Sequence, residues 1–328
     1  MSPYISRGVI STKNVYDHLV SLGLPWQKTE KLIQELAWRD YWQQVWIAKG
    51  ELIMSDLNNQ QIPVTNYEIP EAIVNANTGI EAIDNAIEKL YKTGYMHNHM
   101  RMYVASICTN IAKSHWLTPA KWMYSHLFDG DLASNHLSWQ WVAGTNSKKK
   151  YYANQDNINK YFHTSQKSTF LDVNYEQFSS LKTPDTLSNT VPYDLETSLP
   201  KIKRPILHND KTTLVYNYYN LDPSWHQEED MQRVFLLETS FFKENPVSRN
   251  CIDFVFDLSE NIEGIQVFVG EFSELLEQVN SDRIVFKEHP SNRHYQGKEE
   301  PRDWLCGVTG YSPSFFAFWK KCKKILKP

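Results

Sequence analysis

The chain has 328 residues, of which 41% are hydrophobic and 13% aromatic, so it is long enough for two packed domains. It has no apolar run of about 18 residues, and its first residues lack the features of a signal peptide, so we expect a cytoplasmic protein with no membrane partner. Its four cysteines are scattered, which argues against a disulfide framework or a zinc ribbon.

The net charge of −4 is unevenly distributed along the sequence. Residues 1–170 hold 16 Lys+Arg against 14 Asp+Glu, whereas residues 171–328 hold 18 against 24. Because nucleic acids attract basic surfaces, any nucleic-acid contact should fall on the first half.

The predicted elements follow one another in three segments. Helix-period patterns, for example at 29–48 and 79–90, predict a helical domain over 1–170. A polar, proline-containing stretch predicts an extended linker or wrapping segment over 171–211. Strand-like runs at 214–219, 233–238, 265–270 and 283–287 alternate with helical stretches at 248–261 and 271–279. The predicted fold class is therefore mainly α, with a small doubly wound α/β domain over 212–328.

The first stretch whose side chains could form a functional site lies on the predicted helix at 29–48. Glu35, Trp38, Arg39 and Trp42 share one face at spacings of three and four. A face that mixes polar and aromatic groups suits a pocket for a flat base. Taken alone, however, the face is better explained by an aromatic core stripe with a Glu35–Arg39 surface ion pair.

A second helix carries Asn98, Arg101 and Met102 along one face, which offers hydrogen-bond donors and a soft apolar contact. His97 and His99 have no Cys or carboxylate partners at ligand spacing. We therefore expect ordinary histidines there, and no metal.

Residues 129–141 form the most specific stretch, with acidic, amide and indole groups close together. It contains Asp129, Asp131, Asn135, Trp139 and Trp141. Paired aspartates suit a metal site or an acid–base dyad, but common hydrolytic sites do not place a Trp-Gln-Trp sequence beside them. The groups suit a heterocycle with imide donors and acceptors, such as an isoalloxazine ring.

Five stretches in this order resemble motifs of the DNA photolyase and cryptochrome family: 2–8, 35–39, 78–84, 96–98 and 129–141. The resemblance extends to about residue 162 and is closer to repair photolyases than to animal cryptochromes. It implies an all-helical domain that binds FAD.

The resemblance also implies roles for individual residues around FAD. Ser2 matches the phosphate-binding loop and Arg39 a residue beside the flavin phosphates. Asp129 and Asp131 match an acidic pair near the ribityl chain and the ring, with Arg101 paired to Asp129. Asn135 matches the side chain that faces flavin N5, and Asn98 is also assigned to the cofactor.

The implied substrate is UV-damaged DNA. Glu35 matches the residue that hydrogen-bonds to the lesion bases, Trp38 and Trp141 match apolar walls, and Asn98 and Met102 match positions at the dimer. In the implied reaction an electron passes from photoexcited FADH⁻ to a flipped-out pyrimidine dimer, the cyclobutane ring opens, and the electron returns. The alternatives are a cryptochrome-like blue-light or redox sensor without repair activity, and a degenerate FAD-binding or structural module.

Photoreduction in this family uses a relay of tryptophans. Trp139 matches the member nearest the flavin and Trp116 the middle member, whereas the outer member falls near Pro63. The relay must therefore end at another residue, such as Trp122 or a tyrosine, or be impaired. Core packing is the alternative role of each tryptophan.

Lys148, Lys149 and Lys150 follow the flavin stretch and suit contacts with DNA phosphates, although a solvated lysine run is equally compatible with this pattern. In typical family members an α/β antenna domain precedes the helical domain. Because the phosphate loop begins at residue 2, we expect neither that domain nor a second, antenna chromophore.

Overall fold

The computed structural model describes residues 1–201 and 204–327. Its α-helices are α1 Ser2–Ser6, α2 Thr12–Ser21, α3 Trp26–Lys49, α4 Glu71–Val74, α5 Glu81–Thr93, α6 Asn98–Ser106, α7 Leu117–His126, α8 Leu132–Ala143, α9 Gln155–Phe162, α10 Thr239–Glu244, α11 Arg249–Ser259, α12 Phe272–Leu275 and α13 Phe315–Leu326.

Within the described residues the chain also forms seven strands, besides short 3-10 and π-helical segments. The strands are β1 Ile69–Pro70, β2 Thr190–Val191, β3 Thr213–Tyr216, β4 Gln232–Leu237, β5 Ile265–Val269, β6 Ile284–Lys287 and β7 Lys298–Glu300. The chain divides into two compact units, of which the first joins Met1–Gly50 to Glu196–Pro328 and the second is Glu51–Leu195.

The first unit contains a five-stranded parallel sheet in the order β5-β4-β3-β6-β7. The chain starts in the middle of the sheet, proceeds to one edge and then returns to build the other half, as in doubly wound folds. Apolar side chains of β3, β4 and β6 are buried, and together with α12 they form one core cluster. The predicted fold class, with its small doubly wound sheet, is confirmed.

The N-terminal segment packs beside this sheet. Arg7 is fully buried, its guanidinium lies 3.8 Å from the ring centroid of Tyr218, and its Nη1 donates to the Tyr218 carbonyl at 3.2 Å. The Leu221 amide donates in turn to the Arg7 carbonyl at 2.8 Å. A buried guanidinium satisfied in this way fixes the start of the chain to the loop after β3.

Helix α3 is the long helix of the first unit, and α13 packs along it. Asp40 on α3 is buried and accepts hydrogen bonds from Thr12 Oγ1 at 3.0 Å and from the Leu305 amide at 2.7 Å. Burial raises the pKa of the Asp40 carboxyl. These bonds join three segments that are distant in sequence.

The second unit is mainly helical. The apolar faces of α5 to α8 enclose a core cluster that includes Ile83, Tyr103, Trp116 and Trp139. The short strands β1 and β2 pair antiparallel.

The compact units do not follow the predicted segments 1–170, 171–211 and 212–328. Residues 1–50 cluster with the α/β region because α1 and α3 make the contacts just described. Residues 171–195 belong to the second unit, where Leu171, Phe178 and Leu187 are buried in its core. The predicted linker includes residues 202 and 203, which lie outside the described residues.

Among the helices of the described chain, none combines the length and the apolar character that crossing a bilayer requires.

Gly8 provides a test of how α1 packs within the first unit. Both Gly8 and Gly23 have a left-handed φ, +69° and +62° respectively. A Cβ at Gly8 would lie 2.5 Å from the Tyr219 carbonyl oxygen, whereas a Cβ at Gly23 would have no neighbour within 4 Å. Either alanine should cost about 1–2 kcal/mol for its backbone conformation. Gly8→Ala should lose a further ~1–3 kcal/mol through overpacking. Urea unfolding of both variants measures the difference, and equal losses would contradict the packing.

Candidate functional site

The residues predicted for the site form two sets, one in each compact unit. The first unit holds Ser2, Glu35, Trp38 and Arg39. The second unit holds Asn98, Arg101, Met102, Trp116, Asp129, Asp131, Asn135, Trp139 and Trp141.

In the first unit, Arg39 connects α3 to α1. Its Nη2 donates to Ser6 Oγ at 2.8 Å, while Ser2 is exposed at the start of α1. Glu35 is exposed and pairs with Lys31 at 2.9 Å, not with Arg39 as the alternative interpretation of this face proposed. An exposed pair of this kind contributes only about 0.3–0.5 kcal/mol, so the Glu35 carboxylate can exchange Lys31 for another partner.

Trp38 packs against the C-terminal helix of the same unit. Its ring is stacked on that of Phe315 with centroids 3.6 Å apart and planes inclined by 8°. Phe315 is itself buried and lies on α13. One face of the indole predicted as a substrate wall is therefore covered by the chain's own phenyl ring.

In the second unit, the predicted ion pair between Arg101 and Asp129 is present. Arg101 Nη2 lies 2.9 Å from both carboxylate oxygens of Asp129, and Arg101 Nε donates to the Met96 carbonyl at 2.9 Å. Only 24% of the Arg101 side chain and 10% of the Asp129 side chain are exposed. In such partial shelter from water a charged hydrogen bond is stronger than at the surface.

Asp131 and Asn135 lie at the beginning of α8. Asp131 is the N-cap, and its carboxylate accepts from the Ser134 amide at 2.7 Å. Asn135 donates its amide Nδ2 to the Ala120 carbonyl at 2.8 Å, which fixes the amide orientation between α7 and α8. Both side chains are buried, so their conformations are set before any ligand arrives.

Asn98 and Met102 lie on the first turns of α6. Asn98 is exposed as the first residue of this helix, whereas Met102 is half-buried against the core of the second unit. Of the two side chains predicted to contact the pyrimidine dimer, Asn98 is therefore accessible, whereas Met102 is partly used in packing.

Trp116 and Trp139 are buried in the core of the second unit. Trp116 donates its indole Nε1 to Asp56 Oδ1 at 2.8 Å. Sequence reasoning missed Asp56, because a carboxylate sixty positions away leaves no local pattern around the tryptophan.

His136 is a second residue that sequence reasoning missed. It is fully buried, lies edge-on to Trp116 with ring centroids 5.9 Å apart, and places Nδ1 2.9 Å from the Leu132 carbonyl. Burial lowers the pKa of His136 to about 4, so the ring is neutral near pH 7.

The groups of the second unit fit the ring system of FAD. Arg101 and Asn135 carry donors and Asp129 and Asp131 carry acceptors, and in this structure each of them is hydrogen-bonded to a neighbouring group of the protein. Such a donor and acceptor set matches an imide-bearing heterocycle. Among residues 1–201 and 204–327, no group of three or more His, Cys, Asp or Glu side chains could hold a metal ion.

The central part of the sequence is similar to known proteins. Residues 32–176 match the FAD binding domain of DNA photolyase. The chain is 31% identical over 152 residues to a deoxyribodipyrimidine photo-lyase of Alkalihalophilus pseudofirmus, which is 44% of this chain and 30% of that protein. It is 32% identical over 149 residues to the cryptochrome DASH of Danio rerio, covering 44% of this chain and 29% of that protein. The chain thus spans about 30% of the length of these relatives.

A solved cryptochrome structure from Synechocystis sp. PCC6803 is 26% identical, with a TM-score of 0.44, over 49% of this chain and 35% of that chain.

The buried His136 predicts a specific dependence of stability on pH. Its folded pKa is about 4, below the value of about 6.5 for an unfolded histidine. Between these values the unfolded chain binds a proton that the folded chain does not, so the free energy of unfolding falls as the pH is lowered through this range. His136 should contribute a loss of up to about 3 kcal/mol.

Urea unfolding at several pH values checks this expectation. In His136→Asn the amide can still donate to the Leu132 carbonyl but cannot titrate, so the variant should show a weaker pH dependence than the wild type. His163→Asn, at an exposed position, is the control. An unchanged pH dependence in His136→Asn would exclude the buried, neutral imidazole.

Proposed function

We propose that this chain uses FAD and light to repair cyclobutane pyrimidine dimers in UV-damaged DNA, because residues 32–176 match the FAD binding domain of DNA photolyase. The observation that carries the proposal is the exposed indole at the end of α8. Trp141 is 39% exposed and lies beside Tyr151 with ring centroids 5.7 Å apart. An exposed indole beside a half-buried phenol ring offers a face on which a base can stack.

Cationic groups lie next to these rings in the sequence. Lys148 and Lys149 are exposed in the loop between Trp141 and Tyr151. Aromatic rings interleaved with lysines combine base stacking with phosphate contacts, which is how extruded or single-stranded nucleotides are bound.

The remaining residues have proposed roles in holding the cofactor. When bound, FAD supplies the electron that cleaves the dimer. Arg101 neutralises Asp129 so that this carboxylate can lie near the ring, Asp131 and Asn135 present fixed polar groups, and on the first unit Ser2 and Arg39 are proposed to face the phosphates. Fixed groups require little reorganisation during electron transfer.

For the lesion itself, Glu35 is proposed to accept hydrogen bonds from the bases. Its carboxylate is exposed and forms only a weak ion pair with Lys31. A dimer is already poorly stacked, so extruding it from the duplex costs only a few kcal/mol.

A light or redox sensor is the second candidate, and the stacking of Trp38 on Phe315 favours it. A lesion-binding wall must present its face to a base, and Phe315 covers one face of this indole. A sensor has no need of that wall.

The visible absorption spectrum, followed by a blue-light assay on thymine-dimer oligonucleotide, separates these functions. Flavin bands with loss of the dimer support repair. Flavin bands with an undiminished dimer support the sensor and refute repair, and a protein without flavin after reconstitution refutes both.

Replacing Glu35 tests the proposed lesion contact. A hydrogen bond to a charged group contributes about 1.5–3 kcal/mol, so Glu35→Ala should lower dimer affinity or repair yield at least about tenfold. Bound FAD should be unchanged. Lys31→Ala removes the same surface ion pair but keeps the carboxylate, so it should repair like the wild type. If Glu35→Ala repaired undiminished, the assignment of Glu35 would be wrong.

Replacing lysines tests the proposed DNA surface. DNA affinity should fall steeply with salt, and the double variant Lys148→Ala, Lys149→Ala should reduce the slope of log affinity against log salt by about 2. The matched control replaces Lys320 and Lys324, two exposed lysines of α13, by alanine. Fluorescence anisotropy over a salt series measures the slopes. Equal slopes in the two double variants would remove these lysines from the interface.

A further inference from the structure

A column of aromatic rings runs from the core of the second unit to its surface. Trp116 is fully buried, and His115 lies beside it with ring centroids 5.7 Å apart. Tyr67 stacks on His115 with centroids 5.1 Å apart and planes inclined by 28°. Tyr67 is 71% exposed, so the column reaches the solvent.

Hydrogen bonds hold this column in place. The His115 amide donates to the Asn66 carbonyl at 2.8 Å, and Thr118 Oγ1 donates to the Tyr67 carbonyl at 2.6 Å. Asp56 Oδ1 accepts from Trp116 Nε1 at 2.8 Å and lies 3.3 Å from His115 Nε2. One carboxylate therefore orients both inner rings, whereas the outer ring is held through its backbone.

We propose that Tyr67 is the terminal electron donor of this chain during flavin photoreduction, and that it donates to oxidised Trp116 across His115. The proposal rests on the proposed function, in which FAD is bound and photoreduced. The outer tryptophan of related proteins would fall near Pro63, and Tyr67 is an oxidisable side chain four positions further on.

With FAD bound, Trp139 would donate one electron to the photoexcited oxidised flavin, which would supply the oxidant. Trp116 then donates an electron to oxidised Trp139, and Tyr67 donates one to oxidised Trp116. The Tyr67 phenol loses one electron and releases its Oη proton to water, which leaves a neutral phenoxyl radical. A thiol in solution, as the external reductant, returns one hydrogen atom to it.

The alternative exit through Trp122 is less suitable. Trp122 is fully buried and donates Nε1 to the Tyr91 hydroxyl at 2.9 Å, and that hydroxyl donates to the Val74 carbonyl at 2.7 Å. A tyrosine that is oxidised must lose its proton, and a backbone carbonyl is too weak a base to take it. The exposed phenol of Tyr67 can give its proton directly to water.

Asp56 is a positioning residue in this route. Its carboxylate, hydrogen-bonded to the indole N–H, favours a positive charge on Trp116. The charge is thereby stabilised on the ring next to His115 and Tyr67 long enough for the electron from Tyr67 to arrive.

Electron paramagnetic resonance and transient absorption under blue light, on the full chain reconstituted with FAD, test the proposal. In the wild type, ring-deuterated tyrosine should change the lasting radical signal. Tyr67→Phe should lose the phenoxyl signal and lower the yield of lasting photoreduction, and Tyr67→Trp should restore the yield with a tryptophan signal. Tyr161→Phe is the matched control, because Tyr161 is 48% exposed and also stacked on a histidine, with centroids 4.9 Å from those of His99.

A phenoxyl signal that persists in Tyr67→Phe, or an equal loss in Tyr161→Phe, would overturn the proposal. The route can also be measured without flavin, by oxidising tryptophans of the chain with azide radicals. Tyr67→Phe and Trp116→Phe should each lower radical transfer from tryptophan to tyrosine, and the double variant should lower it no further. If the two variants lowered radical transfer additively, the route would be overturned even where flavin binds. If the protein bound no flavin but the losses of radical transfer were non-additive, only the proposed function would be overturned.

Discussion

The ion pair between Arg101 and Asp129 is the interaction on which the candidate site of the second unit depends. It joins the first turn of α6 to the turn before α8, and the Phe128 amide reinforces the connection by donating to the Gly94 carbonyl at 2.9 Å. Gly94 has a φ of +64°, and a Cβ there would lie 2.2 Å from the Phe128 ring. With this turn fixed, Asp131 caps α8 and Asn135 reaches the Ala120 carbonyl. Loss of Arg101 would remove a charged partner from a mostly sheltered carboxylate, which costs more than the loss of an exposed pair.

Much of the secondary structure could be predicted, because buried elements leave a periodic apolar pattern. The helix expected at 29–48 is α3, Trp26–Lys49, and the strand expected at 265–270 is β5, Ile265–Val269. Strand β7 was missed because its residues, Lys298–Glu300, are charged and form an edge strand. Helix α13 was not predicted either, although its buried Phe315, Phe318, Trp319 and Cys322 have helical spacing.

The site was predictable only where its residues share a motif. The Arg101–Asp129 pair followed from a resemblance that fixes both positions, and the match of residues 32–176 to a photolyase FAD binding domain agrees with it. Asp56 and Phe315 escaped prediction because their contacts to Trp116 and Trp38 are tertiary. His115 escaped it because its contacts with Tyr67 and Asp56 are also distant in sequence. For the same reason the sequence could not indicate that residues 1–50 cluster with the α/β region. The periodicity of a helix shows which face is buried but not what covers it.

The charge of the compact units bears on the proposed binding of DNA. Residues 1–170 carry a small positive excess, but the second unit, Glu51–Leu195, holds 11 Lys+Arg against 14 Asp+Glu. Its net charge of −3 therefore cannot attract DNA from a distance. At physiological salt, charges act over only about 8 Å, so in the proposed DNA contact the exposed Lys148 and Lys149, which follow Trp141 in the sequence, matter more than the net charge of the unit. Binding that depends on a few local cations and on base stacking should favour extruded or unpaired nucleotides over intact duplex, because only the former expose a ring to the indole.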